Sequence, residues 1–413
     1  MSFQFPNDFY WGAATSAHQV EGNNHNDWAE WEKSESRIKN LESRIKKEDF
    51  RKQSPEHLFK KWPAPLDLEN YISGRACDHY SRFREDFDIA KSLGHNAHRF
   101  SIEWSRIQPR EGEWNLDAIE HYRAVIRALR ERNMEPFVTL WHWTIPMWLE
   151  KKGGWLSSEM PHYFARFCEK MAEEFKGDVK FWITLNEPMV YASHAYWRGN
   201  WPPKRAGIFA YLGAIRNLVK SHRAAYTVIK RMQPEARIGV AKNMIYFEGQ
   251  GLDALPAQLA DWWWNRRFLN LIRDYQDFIG VNYYFHNRIR NFRFNRNENR
   301  VTSDMGWEIY PEGIYQVLKS LEEFGRPLYI TENGIADASD AKRISFIQKH
   351  LEFVEMAIRD GIDVRGYFYW ALTDNFEWDK GFRPRFGLVE IDYKTMERRI
   401  RPSARSYRLE LSP

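Results

Sequence analysis

Two glutamates close short apolar runs. FWITLN (181–186) leads into Glu187 and Pro188, and LYITEN (328–333) carries Glu332 just before Asn333 and Gly334. Two carboxyl groups facing one cleft are what cleavage of a glycosidic bond requires: one protonates the leaving oxygen, and the other attacks the anomeric carbon or activates water. Taken singly, a glutamate at the end of such a run is more often a cap or half of an ion pair. The company of these two sets them apart. Gln19 follows the first apolar run, Arg99 lies in the second, and the third runs into His142 and Trp143. The sixth carries Asn282, Tyr283 and Tyr284, the eighth ends near Trp370, and the stretch after it adds Glu377 and Trp378. Amide, imidazole, carboxylate and indole N–H groups are the donors and acceptors that hold a polyhydroxylated ring, and tryptophan faces give it an apolar platform. Arg99 beside a carboxylate favours the ionised form and lowers its pKa, which suits a nucleophile and would spoil an acid.

These residues share one mouth only if their runs are parallel strands. Eight runs qualify: FYWGAAT (9–15), HRFSI (98–102), PFVTLW (136–141), FWITLN (181–186), RIGVAKN (237–243), FIGVNYY (278–284), LYITEN (328–333) and GYFYWAL (366–372). Helical patterns lie between them, at 116–133, 160–175 and 211–232 among others. The alternation predicts an α/β protein, a single (β/α)8 TIM barrel over residues 1–413 with its carboxylates at the ends of strands 4 and 7. A doubly wound open sheet is the rival; no GxGxxG follows the first run and no Walker A pattern occurs. The stretch at about 30–69, with KSESRIKNLESRIKKEDFRKQ, is charged and lacks strand character. It reads as an exposed helical or flexible insertion after strand 1, either solvated or shaping one wall of the site. No internal repeat and no dividing linker are visible.

Composition narrows the function. The chain of 413 residues has a formal charge of +5, spread along its length, so no nucleic-acid partner is expected. One local run, Arg288, Arg290, Arg293, Arg296 and Arg300 with Phe292 and Phe294 between them, reads as a solvated loop or hairpin. The two cysteines, Cys77 and Cys168, make no metal spacing and suit a reducing compartment. The opening MSFQFPNDFYWG lacks the basic-then-apolar pattern of a secretory signal, and no apolar run approaches the ~20 residues of a membrane span. A cytoplasmic location is the expectation. The 13 histidines include no HExxH, so no metal is expected; His162, His222 and His350 read as helix-surface residues. The 19 tryptophans suggest flat surfaces that stack on sugars, with core packing taking a good share.

The chain resembles glycoside hydrolase family 1, the β-glucosidase family. The matching stretches run nearly end to end: FYWGAATSAHQVEG, HRFSIEWSRIQP, LWHWTIPMWL, TLNEP, DFIGVNYY, MGWEIYPEGIY, YITENG, GYFYWALTDNFEW and RFGLVEIDY. SGRACDHY and LVEIDY are similar to the compact archaeal-type branch. The resemblance implies a retaining exo-β-glycosidase with Glu187 as acid/base and Glu332 as nucleophile, acting on β-glucosides or related β-glycosides without a cofactor. Arg99, Asn282 and Tyr284 would support the two carboxylates. Asn186 would hold the 2-hydroxyl; Gln19, His142, Glu377 and Trp378 the 3-, 4- and 6-hydroxyls; Trp370 would lie under the ring and Trp307 on the aglycone side. Trp143 and Phe386 complete the substrate-binding set. The partners implied are small glycosides or oligosaccharides, and a homo-oligomer is compatible with the family.

Two features depart from the pattern: Thr144 and Ile145 replace a common Asp–Leu pair, and the charged insertion is atypical. Both are expected near the mouth, where they would bear on the aglycone. The 6-phospho-glycosidases of the family are the alternative, with a Ser, a Lys and a Tyr where this chain has Glu377, Pro384 and Phe386. An anionic Glu377 would repel a phosphate, with Arg383 and Arg385 close enough to compensate. A sugar-binding protein without catalysis would lack one carboxylate, and both are here. An interaction protein using the Arg288–Arg300 face is the third reading.

Overall fold

The computed structural model describes residues 4–46 and 55–405. Eight parallel strands close into a barrel in chain order: β1 (Tyr10–Ala14), β2 (Ala97–Ser101), β3 (Glu135–Thr139), β4 (Phe181–Asn186), β5 (Arg237–Glu248), β6 (Phe278–Arg288), β7 (Leu328–Asn333) and β8 (Val364–Trp370). β4 and β7 are buried at every position. Strands covered on both faces need apolar residues throughout, which is why they read as unbroken apolar runs in the sequence. β5 and β6 continue past the expected ends, to Glu248 and Arg288, because their pairing persists beyond the rim of the barrel.

Aromatic rings fill the N-terminal half of the barrel. Phe137 stacks on Phe181 at 4.2 Å between centroids and meets Phe368 at 4.7 Å, with Tyr329 5.6 Å from Phe181 and Tyr10 5.5 Å from it. The barrel is thus a packed core at this end.

Helices α1 (Glu35–Ile45), α2 (His79–Ser92), α3 (Leu116–Glu131), α4 (Met160–Glu174), α5 (Ile208–Met232), α6 (Glu312–Ser320) and α7 (Arg343–Arg359) lie outside the strands or in their connections. α3 shows how they form: the Asn115 side chain accepts from the Ala118 N–H at 3.1 Å, and Ile119, Tyr122, Ile126 and Leu129 make the buried stripe.

The same stripe logic corrects two histidines. His222 and His350 are buried, not helix-surface residues. His222 follows Ile215 and Leu218 and precedes Ala225 and Ile229 on the buried face of α5. Its ring bridges Thr184 Oγ1 and the Tyr275 carbonyl, each at 2.6 Å. His350 bonds the Phe346 carbonyl at 2.7 Å within α7. His162 is exposed as expected.

The charged insertion is more than a solvated face. Within it, α1 buries Leu41 against Tyr71, and Arg37 lies over the Trp31 ring at 4.4 Å while donating to the Asp379 carbonyl at 3.3 Å. Its residues 47–54 lie outside the described residues. A hairpin that the sequence did not signal, β9 (Val389–Asp392) with β10 (Glu397–Ile400), follows the loop after β8. Both cysteines are buried and unpaired by disulfide, and burial pushes the Cys77 thiol up to about 12. Among the described residues no helix is long and apolar enough to cross a membrane, and no cluster of three metal-ligating side chains occurs.

Candidate active site

The register of the strands sets their polar ends side by side. Asn186 pairs with Ala241, Asn243 with Asn282, and Asn282 with Glu332, with irregularities before Asn186 and Asn282 that turn these side chains into the mouth. Glu187 leaves β4 in the left-handed region, φ 43° and ψ 55°, and its N–H donates to the Ala241 carbonyl at 2.8 Å. Pro188 then begins a one-turn helix at the position where its missing N–H does no harm. A non-glycine residue held this way costs about 1–3 kcal/mol and persists only because its surroundings fix it. Trp143 and Trp378 share the feature, with φ of 80° and 50°. Behind Glu332 the chain passes so close to β8 that a Cβ on Gly334 would lie 1.8 Å from the Trp370 carbonyl oxygen, so only glycine fits.

A fixed chain of hydrogen bonds links the two glutamates. Arg99 Nη1 donates to Glu332 Oε1 at 2.6 Å, and the Tyr284 hydroxyl donates to Glu332 Oε2 at 2.7 Å. Arg99 Nη2 donates to Asn186 Oδ1 at 2.7 Å. Thr331 Oγ1 donates to Asn282 Oδ1 at 2.7 Å, which orients the Asn282 amide to donate to Glu187 Oε1 at 2.9 Å and to Asn186 Oδ1 at 3.2 Å. Since Asn186 Oδ1 takes two donors, its own amide nitrogen faces His142 Nε2 at 3.0 Å. His142 Nε2 is therefore the acceptor and its proton sits on Nδ1, which makes no hydrogen bond within the protein. Burial, with Arg99 adding to it, holds the His142 pKa well below the ordinary value, so the ring is a neutral donor aimed at the cleft. On the opposite wall Gln19 Nε2 donates to Glu377 Oε2 at 3.2 Å and to the Phe376 carbonyl at 2.9 Å.

The environments of the two glutamates differ in kind. Burial raises Glu187 to about 8, and the charge of Glu332 adds to the rise. Burial also raises Glu332, but Arg99 and Tyr284 pull against it, so it ionises first. Arg99 thus acts in the direction the sequence suggested, while burial outweighs it in the net shift. Glu377 needs a larger correction. Burial, with the charges of Glu332 and Glu187 adding to it, pushes it up to about 8. A carboxyl raised this far can donate to a hydroxyl as well as accept from one. Arg385 is buried and turned toward Asp374 and the Trp62 carbonyl, and neither it nor Arg383 lines the cleft. Lys380, the one lysine in the lining, donates to Asp379.

Of the residues that the sequence singled out, Gln19, His142, Trp143, Asn186, Glu187, Tyr284, Trp307, Glu332, Trp370, Glu377, Trp378 and Phe386 line one cleft of about 460 Å³. Arg99 and Asn282 lie beneath it, fully buried and bonded to the glutamates. Thr144 and Ile145 do not reach the mouth: Thr144 Oγ1 donates to Glu103 at 2.9 Å, and the Ile145 N–H to Asp27 at 2.8 Å. Six of the 19 tryptophans line the cleft, including Trp201 and Trp264, which the sequence reading passed over. Lys242 was passed over as well. It is fully buried on β5, one residue beyond the carbonyl that holds the Glu187 N–H, with its ammonium 5.4 Å from the Trp264 ring. A lone lysine inside RIGVAKNMIYF was the available signal.

The family model for Glycosyl hydrolase family 1 matches residues 1–251 and 266–411. The chain belongs to glycosyl hydrolase family 1. This family 1 enzyme is 33% identical over 458 residues to a 1,4-β-D-glucan glucohydrolase of Thermotoga neapolitana, covering 98% of this chain and 97% of that one. It is 32% identical over 406 residues to a β-galactosidase of Sulfolobus acidocaldarius, covering 80% of this chain and 82% of that one. Among solved structures it is similar to a β-glycosidase from Pyrococcus horikoshii, at 40% identity and a TM-score of 0.85, covering 100% of this chain and 95% of that one. It is a glycoside hydrolase on a (β/α)8 barrel. The segment 252–265, which carries Trp264, falls outside the family match.

Proposed function

We propose that this chain is a retaining exo-β-glycosidase that removes glucose, and the closely related galactose and fucose, from the ends of β-glycosides. One observation carries the reading. The Asn282 amide donates to Glu187 and to Asn186, Arg99 joins Asn186 to Glu332, and only Glu332 has a guanidinium and a phenol on its oxygens. One carboxyl held up beside another that is paired with a cation supports an acid and a nucleophile, the division of labour of retaining enzymes, whose carboxyls lie about 5–5.5 Å apart. Glu332, ionised and oriented, attacks the anomeric carbon while Glu187 gives its proton to the departing oxygen. The glycosyl–Glu332 ester is then opened by water, whose proton returns to Glu187. Asn186, His142, Gln19 and Glu377 hold the ring hydroxyls over Trp370. The names of the relatives, a glucan glucohydrolase and a β-galactosidase, agree with a first subsite open to both sugars.

A panel of nitrophenyl β-glycosides with their 6-phosphorylated counterparts tests this by kcat/KM. The neutral glucoside, galactoside and fucoside should turn over, with the 6-phosphates slower by at least about 100-fold, since neither Arg383 nor Arg385 lines the cleft and Lys380 is held by Asp379. A preference for the 6-phosphates would overturn the assignment of Glu377.

Lys242 should tune the acid. Its charge lowers the pKa of Glu187, and Glu187 in turn raises that of Lys242, which burial holds at about 7. Lys242→Met removes that charge, so Glu187 should hold its proton to slightly higher pH. Because Lys242 is itself losing its proton near pH 7, the alkaline limb of kcat/KM for an alkyl glucoside should move up by only a fraction of a unit. The first step with a dinitrophenyl glucoside, which needs no acid, should not respond. An unmoved alkaline limb would remove Lys242 from this role.

A further inference from the structure

Asn295 lines both the cleft and a second groove of about 750 Å³, whose other lining residues include Arg290, Arg293 and Arg296 together with asparagines. The loop that forms this groove is built. The Asn287 amide donates to Asn295 Oδ1 at 2.6 Å, the Asn295 N–H donates to Asn287 Oδ1 at 2.8 Å, and the Arg288 N–H donates to Asn297 Oδ1 at 2.8 Å. Its tip is pinned where the N–H groups of Asn291 and Phe292 donate to Asp253 at 2.9 and 2.8 Å. Asp253 belongs to the segment that falls outside the family match.

The charge of the groove is poorly neutralised. Arg288 pairs with Glu248 and Glu298 at 2.8 and 2.9 Å, and Arg300 pairs with Glu298 at 2.7 Å. Arg290 reaches the same Glu298 only at 4.0 Å. Among the described residues Arg293 and Arg296 form no ion pair, and no carboxylate lines the groove. On the other side of the cleft, Arg198 adds an exposed guanidinium to the lining. The exposed rings of Phe292 and Phe294 are not part of the groove wall, so it offers guanidinium and amide donors without an aromatic platform. Guanidinium groups bind oxyanions in charge-assisted pairs, and amides bind hydroxyls.

We propose that this groove is a leaving-group subsite for oligosaccharides that carry an oxyanion at the end remote from the scissile bond, a carboxylate foremost. The inference rests on the glycosidase reading above. Continuity with the cleft favours the departing part of a glycoside over a nucleic-acid strand as the occupant. A chain seated with its terminal glucose over Trp370 runs out past Trp307 and Asn295, and its far end meets Arg293 and Arg296.

The test compares cellotrionate, which ends in a carboxylate, with cellotriitol, its uncharged counterpart of nearly the same shape. At low ionic strength kcat/KM for the acid should exceed that for the alditol by about tenfold, and the ratio should fall toward one in ~0.5 M salt as the charges are screened. The double variant Arg293→Gln, Arg296→Gln should lose the preference while cleaving cellotriitol at the wild-type rate, which also reports that it is folded. Equal rates at low salt, or a preference that survives in the double variant, would overturn the proposal. Binding of cellotrionate by calorimetry is the second readout. It should weaken in salt and in the double variant even if wild type fails to cleave cellotriitol, an outcome that would count against the glycosidase reading alone. Salt-insensitive binding would count against the groove.

Discussion

Replacing Glu332 by Ala should lower kcat/KM by at least about 10⁴-fold on every glycoside, including those with the best leaving groups. The reason is that no covalent intermediate can form, so leaving-group quality cannot compensate. The loss has a second source: Arg99 and Tyr284 would face the vacated space with no carboxylate to bond, and a buried guanidinium without its partner is costly. A small anion such as azide would find that cationic space and attack the same face of the sugar in a single displacement, so the product should be the α-glycosyl azide, identified by its anomeric coupling. The titration of Glu187 should move down in the Glu332→Gln variant, because the Glu332 charge is one of the causes holding it up. Retained activity on a dinitrophenyl glucoside, or a β-azide product, would exclude Glu332 as nucleophile.

Replacing Glu187 by Ala should give the second largest effect, and its size should depend on the substrate. An alkyl glucoside needs its oxygen protonated as it leaves and should lose about 10²–10⁴-fold. A dinitrophenolate leaves unassisted, so the first step should stay near the wild-type rate. Water would lack its base in the second step, so the glycosyl–Glu332 ester should accumulate and dinitrophenolate appear as a burst. Azide needs no base; it should restore turnover and yield the β-glycosyl azide by two displacements. The reverse pattern of azide products would exchange the two glutamates, and full activity on an alkyl glucoside would take Glu187 out of the mechanism.

The strand cores and the polar residues that close them were legible because a parallel barrel buries both faces of each strand. An apolar run that stops at an amide or carboxylate therefore marks the rim. Strand ends were less legible: β5 and β6 run on as ribbons above the rim, where side chains are no longer sorted by burial. His222 and His350 were misplaced because residue type was weighed above position, though both follow the stripe of buried residues on their helices. Thr144 was misplaced for a different reason: its neighbours His142 and Trp143 face the cleft, while it turns to Glu103. The upward shift of Glu377 has no local signal at all. It follows from three carboxyl groups converging on one buried space, which only the closed barrel brings about.

The plug of Phe137, Phe181, Tyr329 and Phe368 has a kinetic consequence. A barrel sealed at its base gives the substrate one door. The sugar enters first and lies deepest, so the aglycone must depart before water can reach the ester, and the free sugar leaves last. Product inhibition should follow that order, with the free sugar competing against substrate for the empty enzyme and the alcohol partitioning against water for the loaded one. Any alcohol lingering at the door is therefore an acceptor, and raising its concentration should divert turnover from free sugar to new glycoside while the rate of aglycone release from a dinitrophenyl donor holds steady or rises.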